Sequence, residues 1–339
     1  MQRVGVVVAL VMLLRASPAD AAIKTDIVEL ANGDRVTCEI RKLERGKLTV
    51  KTDGLGTVSI EWNDVQHVSA TRAFDLELET GQRLFGSIAR SDAGTLEIVT
   101  PTATERVPIN SVVRISPLGG TFWTRLDGSL DAGFSFTQAN VQTQWTFNSN
   151  VSYRSRHWVS TLDGDSALTI QEDAERQSRN TLALQTQRFL KPRWSALGFS
   201  QLQQNEELSL LLRTVVGGGL GRIVSQSNRT EAALFAGVAG TNEQYQGAED
   251  DTIVEAVAGG TVGFFTYDGR STNLDVKAIV FYGLASDNRT RFELQSSFKS
   301  DIVGDLYWSI NLFESYNSAP PTGTKGNDFG VSAAVGWSF

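Results

Sequence analysis

The residues that could carry chemistry are few. Among 339 residues there are two histidines, His67 and His157, and one cysteine, Cys38, so a His-based general base or a His/Cys metal centre lacks raw material. His67 follows the end of an alternating segment with no second His, Cys or acid pair near it, and reads as a surface or hydrogen-bonded side chain. Cys38 cannot form an intramolecular disulfide and reads as a small, half-buried strand residue. Glu249-Asp250-Asp251 could hold a calcium ion through its carboxylates, and a solvated loop is the plainer account. Asn228-Arg229-Thr230 and Asn288-Arg289-Thr290 match the glycan-acceptor pattern, and turn chemistry explains both. Against 31 Lys+Arg stand 38 Asp+Glu, a net charge of −7, which excludes an electrostatic nucleic-acid binder. The expectation is a protein with no metal, no cofactor and no reaction of its own.

What remains is a set of charges whose meaning depends on the elements that place them. Arg3 precedes an apolar run from Val4 to Leu14, followed by Arg15 and the small-residue site Ala19-Asp20-Ala21. This is a secretory signal peptide over 1–21, because the run falls well short of the roughly 20 residues a spanning helix needs. Residues 22–118 then repeat: Leu30 to Val36 matches Leu78 to Leu84, and Gly46 to Val50 matches Gly94 to Ile98, both at an offset of 48, while Ile60 to Asn63 matches Val107 to Asn110 at 47. Each copy, about 26–70 and 74–116, reads as short strands punctuated by Gly turns, the grammar of two tandem SH3-like units.

From 119 to 339 the pattern changes to long two-residue alternation. Phe329, Val331, Ala333, Val335, Trp337 and Phe339 share one face of the last segment, and small or polar residues share the other. About twelve such segments follow one another, from 121–137 to 327–339, longer than a usual strand. An even number of alternating strands of this length predicts an all-β, transmembrane antiparallel barrel of the outer-membrane kind, with no unpaired edge. A soluble β-sandwich also alternates, but it needs neither strand-end tryptophans on one level nor a strand that runs to the last residue.

Short turns at Arg154–His157, Leu190–Arg193, Ser225–Asn228, Tyr267–Arg270 and Ser300–Asp305 should lie on the periplasmic side, with longer polar loops opposite. Trp123, Tyr153, Trp158, Phe189, Trp194, Phe265, Phe298, Trp308 and Trp337 should form a belt on that same level. Barrel phospholipases and proteases place a catalytic His near the outer rim; His157 falls in an inner turn, which argues against both.

With the apolar face outward, the inward set holds Arg125, Arg213, Lys277, Arg291 and Lys299 against Asp127, Asp131, Asp163, Asp165, Glu231, Glu255, Asp275 and Glu293, a net −3. Charges on the lipid face would cost roughly 2 to 4 kcal/mol each near the midplane, so their segregation supports the register. Trp337 and Phe339 should serve as the assembly signal read by the barrel-insertion machinery.

Gly33-Asp-Arg-Val36, Gly46 to Thr52 and Gly56 to Trp62, with Asn205-Glu-Glu-Leu208, Arg213, Gly217, Gly219 and Gly221, resemble the domain-of-unknown-function 481 family of salt-induced outer-membrane proteins. The resemblance implies a barrel in the Gram-negative outer membrane, in contact with its lipid, and supplies no reaction. Two functions stay open. One is a non-enzymatic pore or envelope protein with weak cation preference if open. The other is a closed barrel that binds a ligand or links the outer membrane to a periplasmic partner such as peptidoglycan or another protein.

Overall fold

The computed structural model describes residues 24–337 apart from 91, 120–121, 138–141, 172–175, 207–208, 248–249, 268–269, 285–288, 304–305 and 321–325. The expected leader, Glu249, Asn288 and Phe339 lie outside the described residues. The described chain is all-β, with no α-helix among its elements.

The repeat in the sequence is a repeat in space. Strands β1 (Asp26–Leu30), β2 (Arg35–Glu44), β3 (Lys47–Lys51) and β4 (Thr57–Glu61) lead through a 3-10 turn at Trp62–Asp64 into β5 (Val65–Leu78). Midway along β5 the order restarts, with β6 (Arg83–Ala89), β7 (Thr95–Val99), β8 (Thr104–Pro108), a 3-10 turn at Ile109–Ser111 and β9 (Val112–Pro117). Equivalent backbone groups make equivalent bonds: the Trp62 N–H donates to the Gly46 carbonyl at 2.8 Å and the Ile109 N–H to the Gly94 carbonyl at 2.9 Å. The copies also exchange partners, since β2 meets β9 at Leu43↔Ile115 and β5 meets β6 at Ala70↔Ile88. One apolar cluster, including Cys38, Leu43, Leu48, Phe74, Leu76 and Ile98, is shared by both copies. Trp62 is wholly buried in it, and its Nε1–H donates to the carbonyl of Ile109, its own repeat counterpart, at 3.0 Å.

After a 3-10 turn at Phe122–Arg125 the second sheet begins. It is a meander of β10 (Leu126–Thr137), β11 (Gln142–Arg154), β12 (Trp158–Gln171), β13 (Gln177–Lys191), β14 (Trp194–Asn205), β15 (Leu210–Gln226), β16 (Thr230–Tyr245), β17 (Asp251–Thr266), β18 (Thr272–Gly283), β19 (Thr290–Val303), β20 (Leu306–Asn317) and β21 (Asn327–Trp337). Every neighbour in sequence pairs antiparallel, giving 12 strands in order. Alternation puts Leu130, Phe134, Val216, Leu234, Val238 and Phe329 on one exposed face, and the sheet curls with its polar face around a cavity lined by β11 to β21.

Closure of the last strand on the first, expected from the sequence, is not present among the described residues. There β10 and β21 are the two edges of the sheet and no register joins them. The tightest part of the curl is filled rather than hollow. Val215, Ala239, Val257 and Phe281 pack there with Phe199, Phe235 and Ile279. Glycine is required at two points beside them, because a Cβ at Gly217 would stand 2.3 Å from the Phe199 ring and one at Gly259 would stand 2.6 Å from Phe235.

Candidate functional site

The small sheet rides on the turn end of the large one, and the contact is built from a hairpin tip. Glu44 and Lys47 pair across a two-residue turn in which Arg45 and Gly46 both have positive φ, 52° and 72°, the arrangement that matches strand twist in a tight hairpin. The turn aims Arg45 into the mouth of the large sheet. Its guanidinium makes two hydrogen bonds to Asp275, at 2.6 and 3.2 Å, and lies 4.7 Å from the centre of the Phe265 ring, which is wholly buried. Burial alone would lower Arg45, but Asp275 holds it above the ordinary arginine value. A Cβ at Gly263 would meet Arg45 Nη2 at 2.9 Å, and one at Gly46 would stand 2.5 Å from the Asn228 carbonyl.

Two more cations reach the same rim. Lys42 bonds Asp127 on β10, and Arg114 on β9 lies 3.3 Å from Glu231 on β16. Around Arg114 the carboxylates of Glu44, Glu77 and Glu231 outweigh burial and raise its pKa. The four turns between β11 and β18 complete the contact. Arg154 reaches Glu77 at 3.2 Å, Arg193 donates to the Glu79 carbonyl, Gln226 to the Leu78 carbonyl, and Asn228 to the carbonyls of Asn110 and Val112. Lys47 lies 4.0 Å from the centre of the Tyr267 ring. Neither apolar cluster crosses between the sheets among the described residues. The docked state is therefore held by polar contacts, and the three rim pairs, on half-exposed carboxylates, are worth only about 0.2–1 kcal/mol each.

Beyond this cap lies a cavity of about 930 Å³. Asp165, Arg179, Lys277, Glu293, Gln201 and Gln295 line it, so both charge signs mix with amides. At the opposite, loop end the large sheet buries a charge network. Glu243 takes both Arg289 nitrogens at 2.9 Å and Arg213 Nε at 2.7 Å, while Glu255 takes Arg291 and the Thr241 hydroxyl. Pairing on both carboxylate oxygens offsets the cost of burying these ions.

The thirteen charges expected to line one lumen serve different partners, and Glu231, Asp275 and Arg213 line the cavity together with Asp165, Lys277 and Glu293. Asp127, Glu231 and Asp275 receive the cap, and Arg213, Glu255 and Arg291 belong to the loop-end network. Asp165, Lys277 and Glu293 face the open cavity. Asp163 accepts from Asn150, Lys299 stands 3.7 Å from the Tyr307 ring centre, Asp131 is exposed on the edge strand, and Arg125 lines a second cavity of about 890 Å³ under the cap. Arg188, Arg222 and Glu314 depart from the expected segregation and lie on the apolar face toward strand ends, the two arginines 5.4 Å from the ring centres of Trp158 and Trp194.

The aromatic belt needs correction at two places. Tyr153, Trp158, Trp194, Phe298 and Trp308 are on the outward face, but Phe189 and Phe265 turn inward and receive Arg83 and Arg45 from the cap. The side chains of Trp123 and Trp337 lie outside the description; the Trp337 backbone pairs with Leu306. His157 lines a groove of about 330 Å³ against the small sheet, beside Phe85 and Phe189.

Sequence reading misses Glu243, which opens a stretch expected as an outer loop, and Arg289, which the turn chemistry of Asn288-Arg289-Thr290 accounts for. Extending the alternation by one step from Thr241 and from Arg291 reaches them. It also missed Lys42, Arg45 and Arg114, whose partners lie 85, 230 and 117 residues away.

Fold and site together define a barrel-like, all-β protein with a polar interior capped by a duplicated domain. A family model described as Protein of unknown function, DUF481, matches residues 130–339, and the chain belongs to that family. Of the segments that carried the resemblance, those at 205–221 fall inside the match and those at 33–62 outside it. No curated protein and no solved structure matches the chain.

Proposed function

We propose that the chain is a non-enzymatic outer-membrane protein whose barrel is shut at its periplasmic mouth by its own amino-terminal domain. In this reading the large sheet closes into a 12-stranded transmembrane barrel, and the small domain, two SH3-like copies, sits in the periplasm. Exposed apolar residues on the outward face support the membrane reading, because such a surface is an aggregation hazard in water and a requirement in lipid. Unpaired strand edges cannot persist in hydrocarbon, which supports joining β10 to β21.

One observation carries the choice of a closed barrel over an open pore: Lys42, Arg45 and Arg114 occupy the carboxylates at the mouth. A capped barrel with a periplasmic domain acts as a link between the outer membrane and a partner such as peptidoglycan or an envelope protein.

Membrane fractionation, heat-modifiable mobility and planar-bilayer recording test this together. The protein should fractionate with the outer membrane, shift mobility on boiling, and pass little current. Recovery as a soluble periplasmic protein overturns the membrane reading; a steady large conductance from the full chain overturns the closed one. Removing Trp337 to Phe339 should leave the chain in the periplasm or degraded, since the insertion machinery reads the last strand.

A further inference from the structure

We propose that the rim carboxylates Asp127, Glu231 and Asp275 form a docking surface for a cationic hairpin, filled in cis by this chain's own β2–β3 hairpin and β9, and that the small domain leaves it as a unit. The proposal rests on the reading of the large sheet as a barrel. Three observations carry it.

First, the charges are complementary and balanced, with three cations from one domain meeting three carboxylates from the other. Secondly, neither apolar cluster crosses the contact among the described residues, and the small domain encloses a complete one, so separation exposes mainly polar groups that water can satisfy. Thirdly, the hairpin tip is held in an unfavourable conformation at a non-glycine residue, Arg45, and its guanidinium sits between Asp275 and Phe265. Non-glycine residues held at positive φ are concentrated at ligand clamps and switch regions. Once the cap is off, the mouth presents the three carboxylates freed of Lys42, Arg45 and Arg114 beside Arg154 freed of Glu77, and a ring of carboxylates favours cations.

The test uses the full chain with Lys42→Glu, Arg45→Glu and Arg114→Glu combined. Like charges set face to face should shift the docked-to-released ratio by on the order of a hundredfold. Two readouts follow. In detergent micelles, a short bismaleimide joins Arg45→Cys to Asp275→Cys in a Cys38→Ala background. Cross-linking should be efficient with Lys42 and Arg114 intact and lost when both are reversed. In planar bilayers, the triple variant should conduct with cation preference. Exchanging the partners as well (Asp127→Lys, Glu231→Arg, Asp275→Arg) should silence it again, which separates release from misfolding.

Cross-linking that stays efficient when Lys42 and Arg114 are reversed overturns the proposal. A variant that releases the domain yet passes no current overturns the occluding role of the cap. Failure of every version to enter bilayers, with cross-linking behaving as expected, counts against the membrane reading alone and upholds the docking.

Discussion

Arg45 stands where a tight hairpin ordinarily takes asparagine or glycine. Holding an ordinary side chain in the left-handed region costs about 1–2 kcal/mol, and here that cost is offset only in the docked molecule, by Asp275 and the Phe265 ring. Arg45→Asn should therefore act in opposite senses. In an isolated 22–118 fragment it should raise stability by roughly 0.5–1 kcal/mol, while in the full chain it should weaken docking; chemical denaturation of the fragment and the yield of a Lys42→Cys to Asp127→Cys cross-link in the full chain read the two effects. Cys38 provides a second probe. Burial, helped by the Asp26 carboxylate, pushes its thiol up to about 11, so at pH 8 it should react with iodoacetamide at least a hundredfold more slowly than an unfolded thiol near 8.5. Because the folded value lies above the unfolded one, this group's stabilising contribution is complete below about pH 8.5 and declines as pH rises toward 11. A melting temperature of the small domain that climbs across that interval would refute the burial of the thiol.

At the level of elements, β5 decides how the small domain folds. It is a single strand of 14 residues that ends one copy and begins the other, and each copy lends pairing to its twin. The 22–118 fragment should then fold alone with dispersed amide resonances, whereas 22–70 should not, because half the shared core and the counterpart of Trp62 are missing. A well-dispersed spectrum from 22–70 would break this argument. The twelve strands of the large sheet were legible in the sequence because a period of two is written into every residue. The inward turn of Phe265 was legible as well: it shares parity with Gly263, Thr261 and Glu255, although its position at a strand end suggests the belt. The cap was not legible, since nothing in the local sequence of Lys42 or Arg114 points to a partner more than eighty residues away. Closure of β10 on β21 was expected from the strand count, but among the described residues the two remain sheet edges, because pairing of the first strand with the last depends on global curvature rather than on any local signal.

For the whole molecule, two apolar clusters that stay separate among the described residues imply two unfolding events. The small domain should melt first and reversibly in detergent, and the large sheet later, as two calorimetric peaks. Glu243→Gln strips Arg213 and Arg289 of their shared carboxylate, and breaking a buried pair in this way costs about 3–5 kcal/mol. It should lower the second peak and leave the first unmoved. A shift of both peaks together would mean that the sheets unfold as one cooperative body.

A duplicated domain docked on a single mouth also raises a question of valence. Gly46 of the first copy is pressed against Asn228, and Gly81 of the second against Arg193, yet a Cβ added at their counterparts Gly94 and Gly33 would meet nothing within 4 Å. Each copy thus presents a different turn to the large sheet. Divergence has followed the geometry: the occupied tip reads Glu44-Arg45-Gly46-Lys47, and its spare twin reads Asp92-Ala93-Gly94-Thr95. The hairpin tip that carries Arg45 docks, while the equivalent tip of the second copy stays exposed to solvent.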